Sequence, residues 1–502
     1  MTTLLTVILV LAGCSSGTDG AEPTSDRPTG VPPEVARHAA DWPLPGRDYR
    51  NARAVVDSPI STANVAALEE AWRTPLEGAG VLGNAASTPI VVGDTVYVQD
   101  LSSNVRAIDW DTGEIRWETI YDESQIGPNG PAIGWGRLYA VKGTREVVAL
   151  DVETGDEVWR VELASTETEG IDIQPQVFGG LVLVSTVPIS LAGQYAGGDR
   201  GVLSALDART GEVVWSFDTV ASEDLWGNPE VNSGGGAWYP PAIDVEAGVV
   251  YWGIANPAPF PGTPEFPNGS SRPGRNLYTE SVVALDVASG GLLWYAQAIE
   301  HDLFDRDLVH TMLVEADGED VLVATGKLGR VIGHDPASGE VQFDTPVGLH
   351  DNDDLATLQG PTTILPGTYG GVLTPPAAAD GIVYTASVNA PTTLEPDEPN
   401  YLGAELGQLP GTVSAIDVGS GEVLWETMVP GDPLGATLVV NDLVFTATYQ
   451  GVIYALNRGT GELVWELQAP GGINGWPAVV GDQIVWPIGF AEPATLLALR
   501  LS

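Results

Sequence analysis

Cysteine is nearly missing from this chain. Cys14 is its one copy in 502 residues, which excludes a disulfide within the chain and any Cys-x-x-Cys-His attachment site for haem. Lysine is almost as scarce: Lys142 and Lys327 stand alone, and Lys and Arg together number 21 against 67 Asp and Glu. The resulting formal net charge of −46 repels nucleic acid and anionic membranes and favours solubility at high salt. No long helical period runs through the sequence. Glycine and proline are plentiful, at 61 and 38 copies, and Val and Thr are frequent. That composition points to an all-β chain.

One short phrase recurs seven times: small–aliphatic–Asp–x–x–Thr/Ser–Gly–x–x–x–Trp. It runs from Ala107 through Asp109 and Thr112-Gly113 to Trp117, and again from Ala149 to Trp159. Further copies end at Trp215, Trp294, Trp425 and Trp465, the last with Asn457 in place of the Asp, and a degenerate one runs from Gly333 to Phe343. Each copy has an alternating run, a glycine-containing tight turn and a second alternating run, which is the pattern of a β-hairpin. A four-stranded propeller blade takes roughly 40–45 residues, so hairpins at this spacing predict blades. The Asp suits a turn whose backbone N–H groups it accepts. The Trp suits the seam between blades, and the small residue two before the Asp leaves room for a neighbour. On this reading the Trp and Asp residues are packing and turn devices.

Seven phrases are visible, and a strand-like segment, Leu68–Thr74, precedes the first without a partner. The C-terminal run from Trp476 to Leu501 has strands but no closing phrase. Letting the N-terminal strand complete the last blade removes the open edge. The prediction is therefore an eight-bladed β-propeller over residues 41–502. Two long gaps, between Asp207 and Asp286 and between Asp335 and Asp417, hold insertions of the kind that carry sites.

The N-terminus adds a second signal. Residues 4–12 are apolar but too short to span a bilayer, and Leu11-Ala12-Gly13-Cys14 resembles a bacterial lipobox. The expectation is a signal peptide over 1–13, a lipid on Cys14 and a flexible Pro/Ser/Gly linker over 14–40. The protein would then sit outside the cytoplasm, lipid-anchored to the cell membrane.

From Asp41 onward the chain resembles the quinoprotein alcohol dehydrogenases, eight-bladed propellers that bind pyrroloquinoline quinone (PQQ). The resemblance rests on the opening Trp42–Arg53, on Ser233-Gly234-Gly235-Gly236-Ala237-Trp238 and on Asn256-Pro257-Ala258-Pro259. His301-Asp302-Leu303-Phe304-Asp305-Arg306-Asp307 and Thr325–Arg330 continue it in family order. It implies a metal ligand at Asn256, a general base and metal ligand at Asp305, and a further metal carboxylate at Asp307. It also implies cofactor contacts from Lys327, beside the quinone oxygens, and from Trp238, the floor under the planar ring. The metal would be calcium or a lanthanide, the substrate a small alcohol, and the electron acceptor a separate carrier.

Departures from the family pattern are equally specific. Gly130 falls where an arginine for the cofactor's carboxylates belongs. The metal-ligating glutamate before Arg200-Gly201 is missing, with Gln194 or Asp199 nearest, and Gly370–Pro375 lacks an Asn-Trp pair. Arg200 and Arg330 are the candidates to replace the lost cation. These losses point to an alternative: a cofactor-free propeller lipoprotein acting as a binding or scaffold module at the cell envelope. His301 and His310 do not have the spacing of a ligand pair, and the run 350–354 reads as a solvated turn.

Overall fold

Each phrase closes its turn with its own side chain. Asp109 Oδ1 accepts the N–H of Asp111 and of Thr112 at 3.1 and 2.9 Å, and the Thr112 hydroxyl at 2.9 Å. Asp151, Asp286, Asp335 and Asp417 repeat the device. The turn is therefore encoded within five residues. Small and large residues then pair across each hairpin, Ala107 opposite Trp117 and Gly333 opposite Phe343.

The computed structural model describes residues 28–76, 78, 83–189, 197–399 and 406–502. Among these residues seven four-stranded antiparallel sheets and one sheet of five strands form eight blades, as the repeat predicted. Their innermost strands are Ile90–Val92, Ala132–Gly134, Gln176–Phe178, Ala242–Asp244, His310–Ala316, Ala377–Ala379, Thr437–Val440 and Ala478–Val480, for blades 1 to 8. Leu68–Pro75 pairs antiparallel with Thr495–Leu501 and so becomes the outer strand of blade 8. The ring is closed by its own N-terminus.

The seams show what the repeat is for. Trp117 Nε1 donates to the carbonyl of Val152 in blade 2, and Trp215, Trp294 and Trp425 make the same bond one blade onward. Under each indole lies the turn glycine of that next blade: a Cβ on Gly155 would stand 2.5 Å from Trp117 Cε3. The turn glycine, more than the small residue before the Asp, makes the room between blades. The small residue instead faces the Trp inside its own blade. Trp72 supplies the closing seam, with Nε1 donating to Trp110 O at 2.9 Å and Thr74 Oγ1 donating to Gly113 O at 2.6 Å.

The entry segment threads one end of the central channel. Ile243, Leu313, Ala378 and Val439 donate their N–H groups to Tyr49, Arg50, Ala52 and Arg53, on the inner strands of blades 4 to 7. Ahead of it, Pro33–Arg37 is a short helix whose Glu34 accepts the N–H groups of Trp135 and Gly136 at 2.9 and 2.6 Å. The segment expected to be linker over 14–40 thus docks on blade 2 at its C-terminal end, because a carboxylate there satisfies two turn amides. Cys14 and the 1–13 segment lie outside the described residues.

Candidate functional site

In an antiparallel blade the start of the first strand, the end of the second and the start of the third share one end of the sheet. That rule collects the predicted residues. In blade 4, Trp238 precedes the inner strand, Asn256 follows Val249–Gly253, and Glu280 precedes Ser281–Asp286. In blade 5, Asp305 and Asp307 precede His310–Ala316, and Lys327 follows Glu319–Thr325. All face the channel end opposite the entry segment.

Glycines let these loops touch. Lys327 N donates to Asp307 O at 2.9 Å, an approach so close that a Cβ on Gly326 would stand 1.8 Å from Asp307 O. The triple glycine does the same for Trp238: Gly235 N donates to Asn256 O at 3.1 Å, and all three glycines have positive φ. Only glycine takes that conformation in succession without strain.

Lys327 sits at the centre. Its Nζ lies 2.8 Å from Asp305 Oδ2 and 2.7 Å from Asp307 Oδ2, and 5.2 Å over the Trp238 ring. Asp307 Oδ1 accepts the N–H of Asn256 at 2.7 Å. The structure therefore brings together Trp238, Asn256, Asp305, Asp307 and Lys327. Burial disfavours the Lys327 ammonium, but Asp305 and Asp307 together outweigh it and hold the group above the ordinary lysine value. Burial pushes the Asp305 carboxyl well above the ordinary range, and Asp307 adds to this while Lys327 opposes it. Asp305 has φ 63, a left-handed conformation that non-glycine residues adopt seldom and often at functional sites.

The loop carrying these aspartates is braced. Asp302 accepts the N–H groups of Phe304 and Arg306 at 2.9 and 3.0 Å. Arg306 reaches Asp353 at 3.3 Å, and Asp353 accepts His350 Nδ1 at 2.7 Å. The 350–354 run is thus a turn that steadies the acidic loop. His310 lies against Tyr239 with ring centroids 4.0 Å apart and planes tilted by 46°, and Tyr239 lies against Trp238 at 4.7 Å.

The expected replacements lie elsewhere. Asp199 accepts the hydroxyls of Thr166 and Thr168, and Gln194 is outside the described residues. Arg200 pairs with Asp218 at 2.8 Å and Arg330 with Asp344 at 2.7 Å, both bound to outer-strand carboxylates. At Gly130 a Cβ would meet Ser87 Oγ at 2.7 Å and Gln174 Cδ at 2.8 Å, so the packing leaves no place for an arginine side chain.

Two carboxyls escaped the sequence reading. Asp172, before the inner strand of blade 3, has an Oδ1 sealed from water without a partner. Burial, with help from Asp307, pushes it up to about 8. Glu280 is fully buried with neither oxygen hydrogen-bonded. Periodicity marks an apolar run but not which polar residue at its edge will be covered by other loops. No cluster of three His, Cys, Asp or Glu side chains converges as a metal cage among the described residues. Lys327 stands between Asp305 and Asp307. The donor set, the Asp305 and Asp307 carboxyls with the Asn256 carboxamide, is nevertheless the all-oxygen chemistry a hard cation requires, and the indole with an ammonium over its face offers a flat ring a surface to lie on.

The model of the family described as "Glucose/ethanol/alcohol dehydrogenase, beta-propeller domain" matches residues 42–129 and 165–340, more than half of the chain. A second, described as "Outer membrane protein assembly factor BamB", matches residues 410–491. The chain is 28% identical over 421 residues to the quinohemoprotein alcohol dehydrogenase of Comamonas testosteroni, covering 72% of this chain and 56% of that protein. Overall, the chain spans about half the length of the curated relatives it matches. Its fold is similar to that of a europium-containing methanol dehydrogenase, with a TM-score of 0.80 at 20% identity over 93% of this chain and 99% of the other. BamB from Moraxella catarrhalis is less similar, with a TM-score of 0.52 at 16% identity over 86% and 97%.

Proposed function

Because the chain belongs to the family of the glucose/ethanol/alcohol dehydrogenase β-propeller domain, we propose that it is a quinoprotein that oxidises a small alcohol with PQQ and a calcium or lanthanide ion. The observation that carries this reading is Lys327 held against Asp305 and Asp307 over the Trp238 ring. Relatives named as alcohol and methanol dehydrogenases support it.

When bound, the quinone supplies a two-electron acceptor and the cation a Lewis acid that polarises it. Trp238 would hold the ring face, and Asn256 and Asp307 the cation. Asp305 takes the hydroxyl proton of the alcohol. Its raised proton affinity suits a base working nearer neutrality than a free carboxylate. Lys327 presents positive charge where negative charge develops on the acceptor. A separate carrier takes the electrons, a reading supported by the relative named methanol dehydrogenase [cytochrome c]. The proposed setting is the outer face of the cell membrane, through a lipid on Cys14.

A specific observation favours a second reading, the cofactor-free envelope scaffold. None of the described arginines that the sequence put forward reaches the site, Gly130 leaves no room for one, and residues 410–491 match the BamB model. Dye-linked oxidation of short alcohols by the full chain loaded with PQQ and metal separates the two. Turnover that is lost in Asp305→Asn supports the enzyme, and no turnover with either metal supports the scaffold.

A further inference from the structure

Four carboxyl groups gather at this end of blades 4 and 5, and three of them have partners. Asp302 is satisfied by two backbone N–H groups. Asp305 and Asp307 hold Lys327, and Asp307 also takes the Asn256 amide. Glu280 differs: it is fully buried, and neither of its oxygens has a hydrogen-bond partner. An unsatisfied buried polar group is destabilising, and more so when charged.

Its placement is specific. Glu280 N donates to the carbonyl of Ala255, the residue before Asn256, at 3.4 Å, so the two residues leave adjacent strands at the same level. The Glu280 backbone is left-handed, with φ 54. The groups that act on its carboxyl are Asp302, Asp307, Asp305 and Lys327. It therefore faces the aspartate–lysine cluster, with two free oxygens.

We propose that Glu280 is a ligand of the hard cation at this site, the carboxylate that takes the place of the one missing before Arg200. The inference rests on the metal-binding reading above, but names a residue that the sequence pattern does not mark. Glu280, Asp307 and the Asn256 carboxamide would supply oxygens of the type that calcium and lanthanides take.

The test is a terbium titration of the purified full chain at about 0.5 M salt, where exposed carboxylates are largely screened. Tryptophan-sensitised emission is the readout, and lanthanum and calcium are the competitors. The expected result is saturable emission that Glu280→Gln and Asn256→Ala each weaken roughly tenfold to a hundredfold. The exposed control Glu246→Gln should leave it unchanged. The metal-free thermal midpoint of Glu280→Gln should not fall, because the amide lacks the charge penalty. A purely structural glutamate would instead lower that midpoint and leave terbium affinity intact.

If Asn256→Ala weakens binding and Glu280→Gln does not, Glu280 is not a ligand and the metal reading stands. Should the wild type show no saturable emission, or should Glu246→Gln weaken it equally, both fall. Glu280→Ala covers the case in which Glu280→Gln fails to fold: it removes both oxygens and should weaken terbium to the same degree, and undiminished affinity in it would overturn the proposal.

Discussion

Lys327 Nζ lies 2.8 Å from Asp305 Oδ2, so the cation proposed for the acceptor and the base proposed for the substrate are one ion pair. Each sets the proton affinity of the other. Burial raises the Asp305 carboxyl and Lys327 pulls it back. Removing the ammonium in Lys327→Met should therefore raise Asp305 further. In the pH profile of kcat/KM the acidic limb should move to higher pH, since the base is then protonated over a wider range. An unmoved limb would show that Asp305 is not the titrating base.

The same substitution has a structural cost. Both partners of Lys327 are buried and Lys327 itself is mostly covered, with side-chain exposures of 12% for Lys327, 12% for Asp305 and 3% for Asp307. Breaking a buried pair from one side typically costs about 3–5 kcal/mol. Lys327→Met should lose stability of that order in urea unfolding, and Lys327→Met with Asp305→Asn should recover part of it. Equal loss in the single and double variants would mean that the aspartate is not stranded by the lysine's removal.

Ring closure is testable at Trp72. It is 7% exposed, seats on Gly113 and bonds to Trp110 O. Trp72→Ala should cost about 3–5 kcal/mol and open the seam between blades 8 and 1. Hydrogen exchange in 68–75 and 495–501 should then rise before exchange in blades 3 to 5. Uniform protection across the ring would contradict closure by this strand.

Asp172 gives a pH signature of stability. Its carboxyl is raised from an ordinary value near 3.8 to about 8 in the folded protein. Folding therefore takes up a proton between those values, and the contribution is present in full below the lower one. It is lost as pH rises toward about 8. Asp172→Asn should flatten the fall in thermal midpoint between roughly pH 4 and pH 8. A profile with the wild-type slope would place that proton elsewhere.

Much of the fold was legible because its rules are local. Asp109, Thr112 and Gly113 close their turn within five residues, so the phrase announces each hairpin without reference to the rest of the chain. Trp72 stood without a partner in the sequence and found one 420-odd residues later, in the pairing of Leu68–Pro75 with Thr495–Leu501. The seat of each indole on the next blade's glycine was not legible, because it is a contact between repeats. Nor was the docking of Glu34 on the amides of Trp135 and Gly136. The site divides in the same way. Trp238, Asn256, Asp305, Asp307 and Lys327 were readable as motifs, and the blade ends bring them together. Glu280 and Asp172 carry no motif. Their burial arises only when loops of several blades meet over the channel. The packing of Gly130 against Ser87 and Gln174, which leaves no space for an arginine, is equally a product of three separate loops.

The most direct measurement is a titration of the full chain with PQQ in the presence of calcium, and separately of lanthanum, followed by quenching of tryptophan fluorescence. Saturable, metal-dependent quenching that weakens in Asn256→Ala and in Trp238→Ala is the expected result. Quenching absent with both metals, or unchanged in both variants, would contradict it and leave a propeller that binds envelope partners without a cofactor.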